Sequence, residues 1–170
     1  MGRLRIESIS QRTVLRDFFR VPWFVYRSDT NWVPPLLLER RQALDGKNPV
    51  FEHLNWEGWV AYRDDRPVGR ITAQVDRLQQ EHYQDHTGFF GHIEMPDDPA
   101  VSAALFEAAE SWLQNRGAQR VVGPFSMNIN QETGLLVDGF DTPPYMMMGH
   151  GRPYYGAAVE RCGYRGVKDV

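Results

Sequence analysis

The residues best suited to acid–base chemistry in this chain stand two apart, His92 and Glu94, in the stretch "GFFGHIEM". The run Gly88 to Met95 reads as a compact strand, and a strand sets residues i and i+2 on one face. Two readings of the pair stand. It is either a proton-handling pair, for which His92 has the better-matched ordinary pKa, or a polar pair held by a structural partner. Directly after it, "PDDPAVSAALFEAAESWLQNRG" is the clearest helix of the sequence. Asp97 or Asp98 caps it, Pro99 fits its first turn and Gly117 closes it. Val101, Ala104, Leu105, Ala108, Ala109 and Trp112 form its expected buried stripe. Two acids at that end also suit the helix dipole.

Other reactive side chains carry less. The single cysteine, Cys162, has Arg161 and Arg165 as neighbours, which favour a thiolate, but no histidine lies near it in sequence. A packed cysteine at a helix end is the expectation. His82 and His86 are four apart, a zinc spacing if helical, yet they lack a third ligand, so no metal is expected. Asn128 and Asn130 read as turn formers. Arg12, Arg16 and Arg20 make a cationic stripe, either simply solvated or a docking surface for an acidic carrier or a phosphate. Trp23, Trp32, Trp56 and Trp59 have no interleaved basic residues and fit packing better than base stacking.

The elements that must position these residues follow from period and punctuation. "LRIESI" alternates as a first strand, and Ser10 is placed to cap a helix with Val14, Leu15, Phe18 and Phe19 on one face. "VPPLLLERRQAL" (33–44) predicts a second helix, with Pro34 and Pro35 at its start and Gly46 and Pro49 beyond its end. Trp59 to Tyr62, the polar turn Asp64-Asp65-Arg66-Pro67 and Val68 to Val75 predict a β-hairpin. After a polar interval come the Gly88 to Met95 strand and its helix. "QRVVGPFS" then gives a strand, "PYYGAAVERCGY" a helix, and "RGVKDV" the start of another strand. A strand, crossover helix and parallel strand (88–126) wind right-handed and place ligands near the carboxyl end of the first strand.

Composition sets outer limits. At 170 residues, 42% hydrophobic and 24% charged, the chain fits one globular domain. A formal charge of -3 gives no reason to expect nucleic acid. The N-terminus alternates where a signal peptide needs an apolar run, and no stretch has the length of a membrane span. With its one cysteine, the chain is expected to be cytoplasmic.

From "GFFGHIEMPDDPAVSAALFEAAESWLQNRGAQRVVGPFSMN" to "YYGAAVERCGYRGVKDV" the chain resembles the GNAT superfamily of acyl-CoA-dependent N-acyltransferases. Within it, the chain is most similar to bacterial GNAT-like proteins with segments such as "GRITA", "GFFG", "ETGLLVDGFD" and "PPYMMM", and the likeness covers nearly its whole length. "VERCGYRGV" resembles the common helix end Y-E-K-x-G-F, with Gly163 and Tyr164 on the Gly-Phe. The resemblance implies a single α/β domain over residues 1–170: a mixed, mostly antiparallel sheet flanked by helices. Relatives of this type run longer, so the chain is expected to be an N-terminal part that lacks the last strands.

The same resemblance implies acyl-CoA or acetyl-CoA as co-substrate and a small-molecule amine as acceptor. The pantetheine arm would run along the main chain of Ile93 and Met95. The pyrophosphate would sit at the helix start, on Asp98, Ala100, Val101, Ser102 and Ala103, with Asn128 as a polar contact from the neighbouring strand. There the chain departs from the superfamily's Gln/Arg-x-x-Gly-x-Gly/Ala loop. Asp97 replaces the basic or amide residue, Ala100 and Ser102 replace the glycines, and Pro99 removes a donor. Two carboxylates beside a pyrophosphate cost about 1 kcal/mol each at a surface-like dielectric. His92 or Glu94 is the expected base. Tyr155 is the expected general acid, because Val159 occupies the position of the family tyrosine. Two alternatives stay open: a non-catalytic GNAT-like binding or scaffolding domain, and an acyltransferase fed by acyl carrier protein through the arginine stripe. The long insertion "SMNINQETGLLVDGFDTPPYMMMGHGR" beside the site reads as a wall for an acyl chain or large acceptor. It also reads as packing for a missing C-terminal half, with self-association expected in its absence.

Overall fold

The computed structural model describes residues 2–146 and 148–169. Five strands form one sheet in chain order: β1 (Leu4–Ser8), β2 (Leu54–Arg63), β3 (Arg66–Asp76), β4 (Thr87–Glu94) and β5 (Arg120–Val122). β1 to β4 are antiparallel neighbours, and β5 runs parallel to β4. Helices α1 (Arg12–Val25), α2 (Leu37–Ala43) and α3 (Arg77–Tyr83) precede α4 (Pro99–Gln114), the crossover that a parallel pair requires. α5 (Tyr155–Arg161) follows a long insertion. The result is the mixed, mostly antiparallel α/β sheet with flanking helices expected from the sequence.

Alternation along the strands builds a core on each face. Ala61, Ile71, Ala73 and Phe90 pack with Val101, Leu105, Phe106 and Ala109 of α4. Val60 and Tyr62, pointing the other way, pack with Val14, Phe18, Phe19 and Val21 of α1. The β2–β3 turn is the predicted one: Asp64 and Asp65 have φ of 47° and 64°, the left-handed pair of a two-residue hairpin turn, which aspartate tolerates.

Several boundaries are corrected. Gln11, not Ser10, precedes α1, and it makes no side-chain cap. The 33–44 helix shrinks to Leu37–Ala43, because prolines bias the residue before them toward extended backbone. The polar interval after β3 holds α3, capped by the Asp76 carboxylate on the amides of Leu78 and Gln79. The buried face of α4 runs through Ser102, Phe106 and Leu113; Ala104, Ala108 and Trp112 are only half-buried. β5 has three residues, since Pro124 has no N–H with which to extend the ladder. Residues 165–169 form no strand.

The sheet is irregular at two places along β4. Arg70 pairs with Glu94 and Thr72 with Gly91, so His92 and Ile93 together oppose Ile71 alone. This is a β-bulge, and His92 takes a φ of 45° within it. Beside it the backbone after β5 comes so close that a Cβ on Gly91 would stand 2.4 Å from the Phe125 carbonyl oxygen. Buried Gln74 grips that segment: its Nε2 donates to Met127 O and its Oε1 accepts from Met127 N–H, both at 3.0 Å.

Candidate functional site

Pro22 lies inside α1 and has no amide hydrogen, so the Phe18 carbonyl four residues earlier lacks its helical partner. Arg70 of β3 takes it. Nη1 donates to Phe18 O at 3.2 Å, and the guanidinium lies 4.9 Å over the Phe18 ring. Arg70 Nη2 also lies 3.6 Å from Glu94 Oε1, both side chains being almost wholly buried. A proline in one helix thus fixes the cation that faces a carboxylate on the opposite strand.

The Glu94 carboxylate meets α5 through Tyr155. The phenol donates to Glu94 Oε2 at 2.7 Å and accepts the Met95 N–H at 3.1 Å, which fixes the direction of its proton. Tyr154 donates to Met95 O at 2.8 Å. Burial raises the Glu94 carboxyl above the ordinary carboxylate range, against the pull of Arg70, Tyr155 and Tyr26. Burial and the adjoining Glu94 push the Tyr155 phenol well above its ordinary value. His92 lies apart from this pair. Its Nδ1 is 3.2 Å from Thr72 Oγ1, its backbone N–H donates to Ser126 Oγ at 3.2 Å, and its ring leans on Phe18. Burial, then the charges of Arg70 and Arg40, hold its pKa well below the usual value, so the imidazole is neutral.

Two small adjoining hollows share Arg70, Glu94, Glu132 and His150. His92 and Tyr155 line the inner one; Trp32, Val33, Pro35, Leu37, Pro144 and Met148 rim the outer. The groove therefore has a polar floor and an apolar mouth. Met148 stands at the rim and Met146 is 91% exposed, while Met147 lies outside the described residues. Glu132 pairs with Arg40 of α2. On the far wall, Asp29 Oδ2 lies 2.9 Å from His150 Nε2 and 3.2 Å from Arg152 Nη1. Tyr26 donates to the His150 carbonyl at 3.2 Å. Burial would raise the Asp29 carboxyl, but bonds from His150 and the Asn31 amide, with Arg152 nearby, hold it below its ordinary range. A shallower depression lined by Glu110, Gln114 and Val121 assembles no comparable set.

The expected cofactor residues flank Glu94 at the carboxyl end of β4 and continue into the start of α4. The side chains of Ile93, Met95 and Val101 are buried in the α4-side core. The Met95 main chain is already engaged, its N–H bonded to Tyr155 of α5 and its carbonyl to Tyr154 just before it. Asp98 is the cap: Oδ1 accepts from Ala100 N–H at 3.0 Å, and its carbonyl accepts from Val101 and Ser102 at 3.1 Å. Ala100 and Ala103 are exposed, whereas Ser102 is buried with its hydroxyl on Pro99 O at 3.1 Å. Both acids have cations, Arg63 at 2.5 Å from Asp98 and Arg161 at 3.4 Å from Asp97. Asn128 closes a turn, its Oδ1 accepting from Asn130 N–H at 2.9 Å.

Burial raises the Cys162 thiol, which outweighs the arginine beside it in sequence. His82 sits in the last turn of α3 and His86 lies beyond a left-handed Gln84, so they share no helix face. Among the described residues no group of three His, Cys, Asp or Glu is placed to hold a metal, and no helix is long and apolar enough to cross a membrane. Sequence reasoning missed Arg70, Tyr26, Asp29 and His150. A proline within a helix and an arginine within a buried strand were the signals that could have pointed to the first.

No protein-family model matches the chain. Protein YghO of Escherichia coli (strain K12) is 50% identical over 159 residues, which cover 94% of this chain and 41% of that protein. A protein named Bacterial ceramide synthase, from Caulobacter vibrioides (strain NA1000 / CB15N), is 46% identical over 158 residues, covering 92% and 41%. The chain thus spans 41% of the length of these curated relatives. Among solved structures, a tandem GNAT protein from the clavulanic acid biosynthesis pathway superposes with a TM-score of 0.58 at 13% identity, covering 95% of this chain and 43% of that one. An aminoglycoside acetyltransferase from an uncultured soil metagenomic sample gives 0.51 at 16% identity, covering 72% and 78%.

Proposed function

We propose, from the premise that this chain has the fold of the GNAT acetyltransferases, that it is an N-acyltransferase domain joining the acyl group of a thioester to an amine. The observation that carries this reading is the Glu94–Tyr155 couple on the polar floor of the groove. Aminolysis needs a base for the nitrogen proton and an acid for the departing thiolate. A buried carboxylate bonded to a phenol, itself oriented by a backbone amide, supplies both within 2.7 Å. His92, kept neutral, serves in this reading as a polar wall of the bulge, bonded to Thr72 and Ser126.

The donor in this reading is an acyl-CoA, its phosphates drawing Arg63 and Arg161 away from Asp98 and Asp97. The acceptor is an amine on a long apolar chain. Two facts support that choice: the groove mouth is lined by Trp32, Val33, Pro35, Leu37 and Met148, and a 46%-identical relative is named Bacterial ceramide synthase. A ceramide is the amide of a long-chain amino alcohol.

A non-catalytic binding role is favoured by one observation. The amides at the start of α4 and the main chain of Met95 are already satisfied from within the protein. Incubating the full-length protein with acyl-CoA and a long-chain primary amine, and reading amide by mass spectrometry, separates the two. Amide formation that Glu94→Gln lowers about 10²-fold is the expected result. No amide with any donor from acetyl to palmitoyl, together with no calorimetric CoA binding, sinks the enzyme reading and leaves the binding role.

A further inference from the structure

An alkylammonium loses two protons in becoming an amide, one before its nitrogen can attack and one after the C–N bond forms. The departing sulfur needs one back. The Glu94–Tyr155 couple accounts for the later exchange: Glu94 takes the second nitrogen proton, Tyr155 gives its own to the sulfur as the C–S bond breaks, and Glu94 restores the phenol. The first proton needs another acceptor, and the groove contains a candidate that the sequence did not single out.

His150 and Asp29 are 121 residues apart in the chain, yet Nε2 lies 2.9 Å from Asp29 Oδ2. The His150 side chain is 5% exposed. Its Nδ1 is buried with no hydrogen-bond partner among the described residues. With Nε2–H committed to the carboxylate, Nδ1 carries the lone pair. The residue borders both hollows, so it stands where the outer, apolar half meets the floor holding Glu94 and Arg70. A buried polar atom without a partner is costly unless something is built to use it.

We propose that His150 is a catalytic base, that its Nδ1 accepts the first proton of the acceptor ammonium, and that Asp29 is the positioning residue that fixes its tautomer. The inference rests on the acyltransfer reading. The imidazolium so formed lies against the Asp29 carboxylate, whose Oδ2 also accepts from Arg152 Nη1 at 3.2 Å. The proton returns to water once the amide leaves. His92 is less suited to the task, because burial, then Arg70 and Arg40, oppose a positive charge on it.

The test uses the full-length protein with acyl-CoA and a long-chain primary amine, and reads kcat, KM and histidine 15N spectra. His150→Gln is expected to lower kcat about 10²-fold with KM little changed. His150→Ala is expected to regain rate when imidazole is added, which a packing role alone would not produce. Asp29→Asn is expected to lose the single Nε2–H tautomer in the spectra and part of kcat while keeping a native-like melting temperature. An active wild type whose His150 variants keep full rate overturns the proposal and leaves the acyltransfer reading intact. So does a wild-type His150 protonated at Nδ1. A wild type that transfers no acyl group overturns both.

Discussion

At the scale of the residue, the site is governed by how each charge is held. His92 illustrates this. Its folded pKa is depressed by burial and by Arg70, so its contribution to stability is fully present above the unfolded value of about 6.5 and is lost as pH falls toward the folded value. His92→Asn keeps a residue that tolerates left-handed backbone and removes the titration. We expect the wild type to lose stability relative to this variant between about pH 6.5 and pH 5, measured as urea midpoints; parallel pH profiles would count against a buried neutral imidazole. His92 and Glu94 were singled out from a two-residue alternation, but the bulge in β4 interrupts it and leaves His92 apart from the Glu94–Tyr155 couple. Arg70, Tyr26, Asp29 and His150 were not legible, because each acquires meaning only from a partner that folding brings up. Arg70 meets Glu94 on another strand, and Asp29 meets His150 121 residues away.

At the scale of the element, strands and the long helix were readable because their periods and end signals are strong, whereas their exact ends depend on neighbours. β5 is cut short by Pro124, whereas the bulge in β4 lies beside the close approach of residues 125–126, which no local pattern encodes. Two glycine substitutions separate local from tertiary demands. Gly91→Ala would place its Cβ 2.4 Å from the Phe125 carbonyl oxygen and 2.8 Å from its carbon, backbone that cannot swing aside. A loss of roughly 1–3 kcal/mol in urea unfolding is expected. Gly156→Ala in α5 meets nothing within 4 Å and should gain about 0.4–1 kcal/mol. Equal effects at both positions would mean that the Gly91 crossing is looser than these distances imply.

At the scale of the molecule, residues close in sequence to those lining the groove mouth leave apolar surface in water. Leu36 and Leu38 are 72% and 71% exposed, and Tyr145 and Met146 are 85% and 91%. Such surface favours association. The 170-residue chain is expected to sediment as concentration-dependent oligomers that Leu36→Glu with Leu38→Glu reduces. A monodisperse monomer at all concentrations would show that the rim is tolerated alone. The Asp29–His150 contact has a consequence in time as well as space. β1 to β4 pair with sequence neighbours and form early, whereas a contact spanning 121 residues waits for a large loop to close. As the chain leaves the ribosome, the sheet can be in place while residue 150 is still to come. On that order the scaffold is expected to mature first, so the proposed base at His150 would be set in place only after its support.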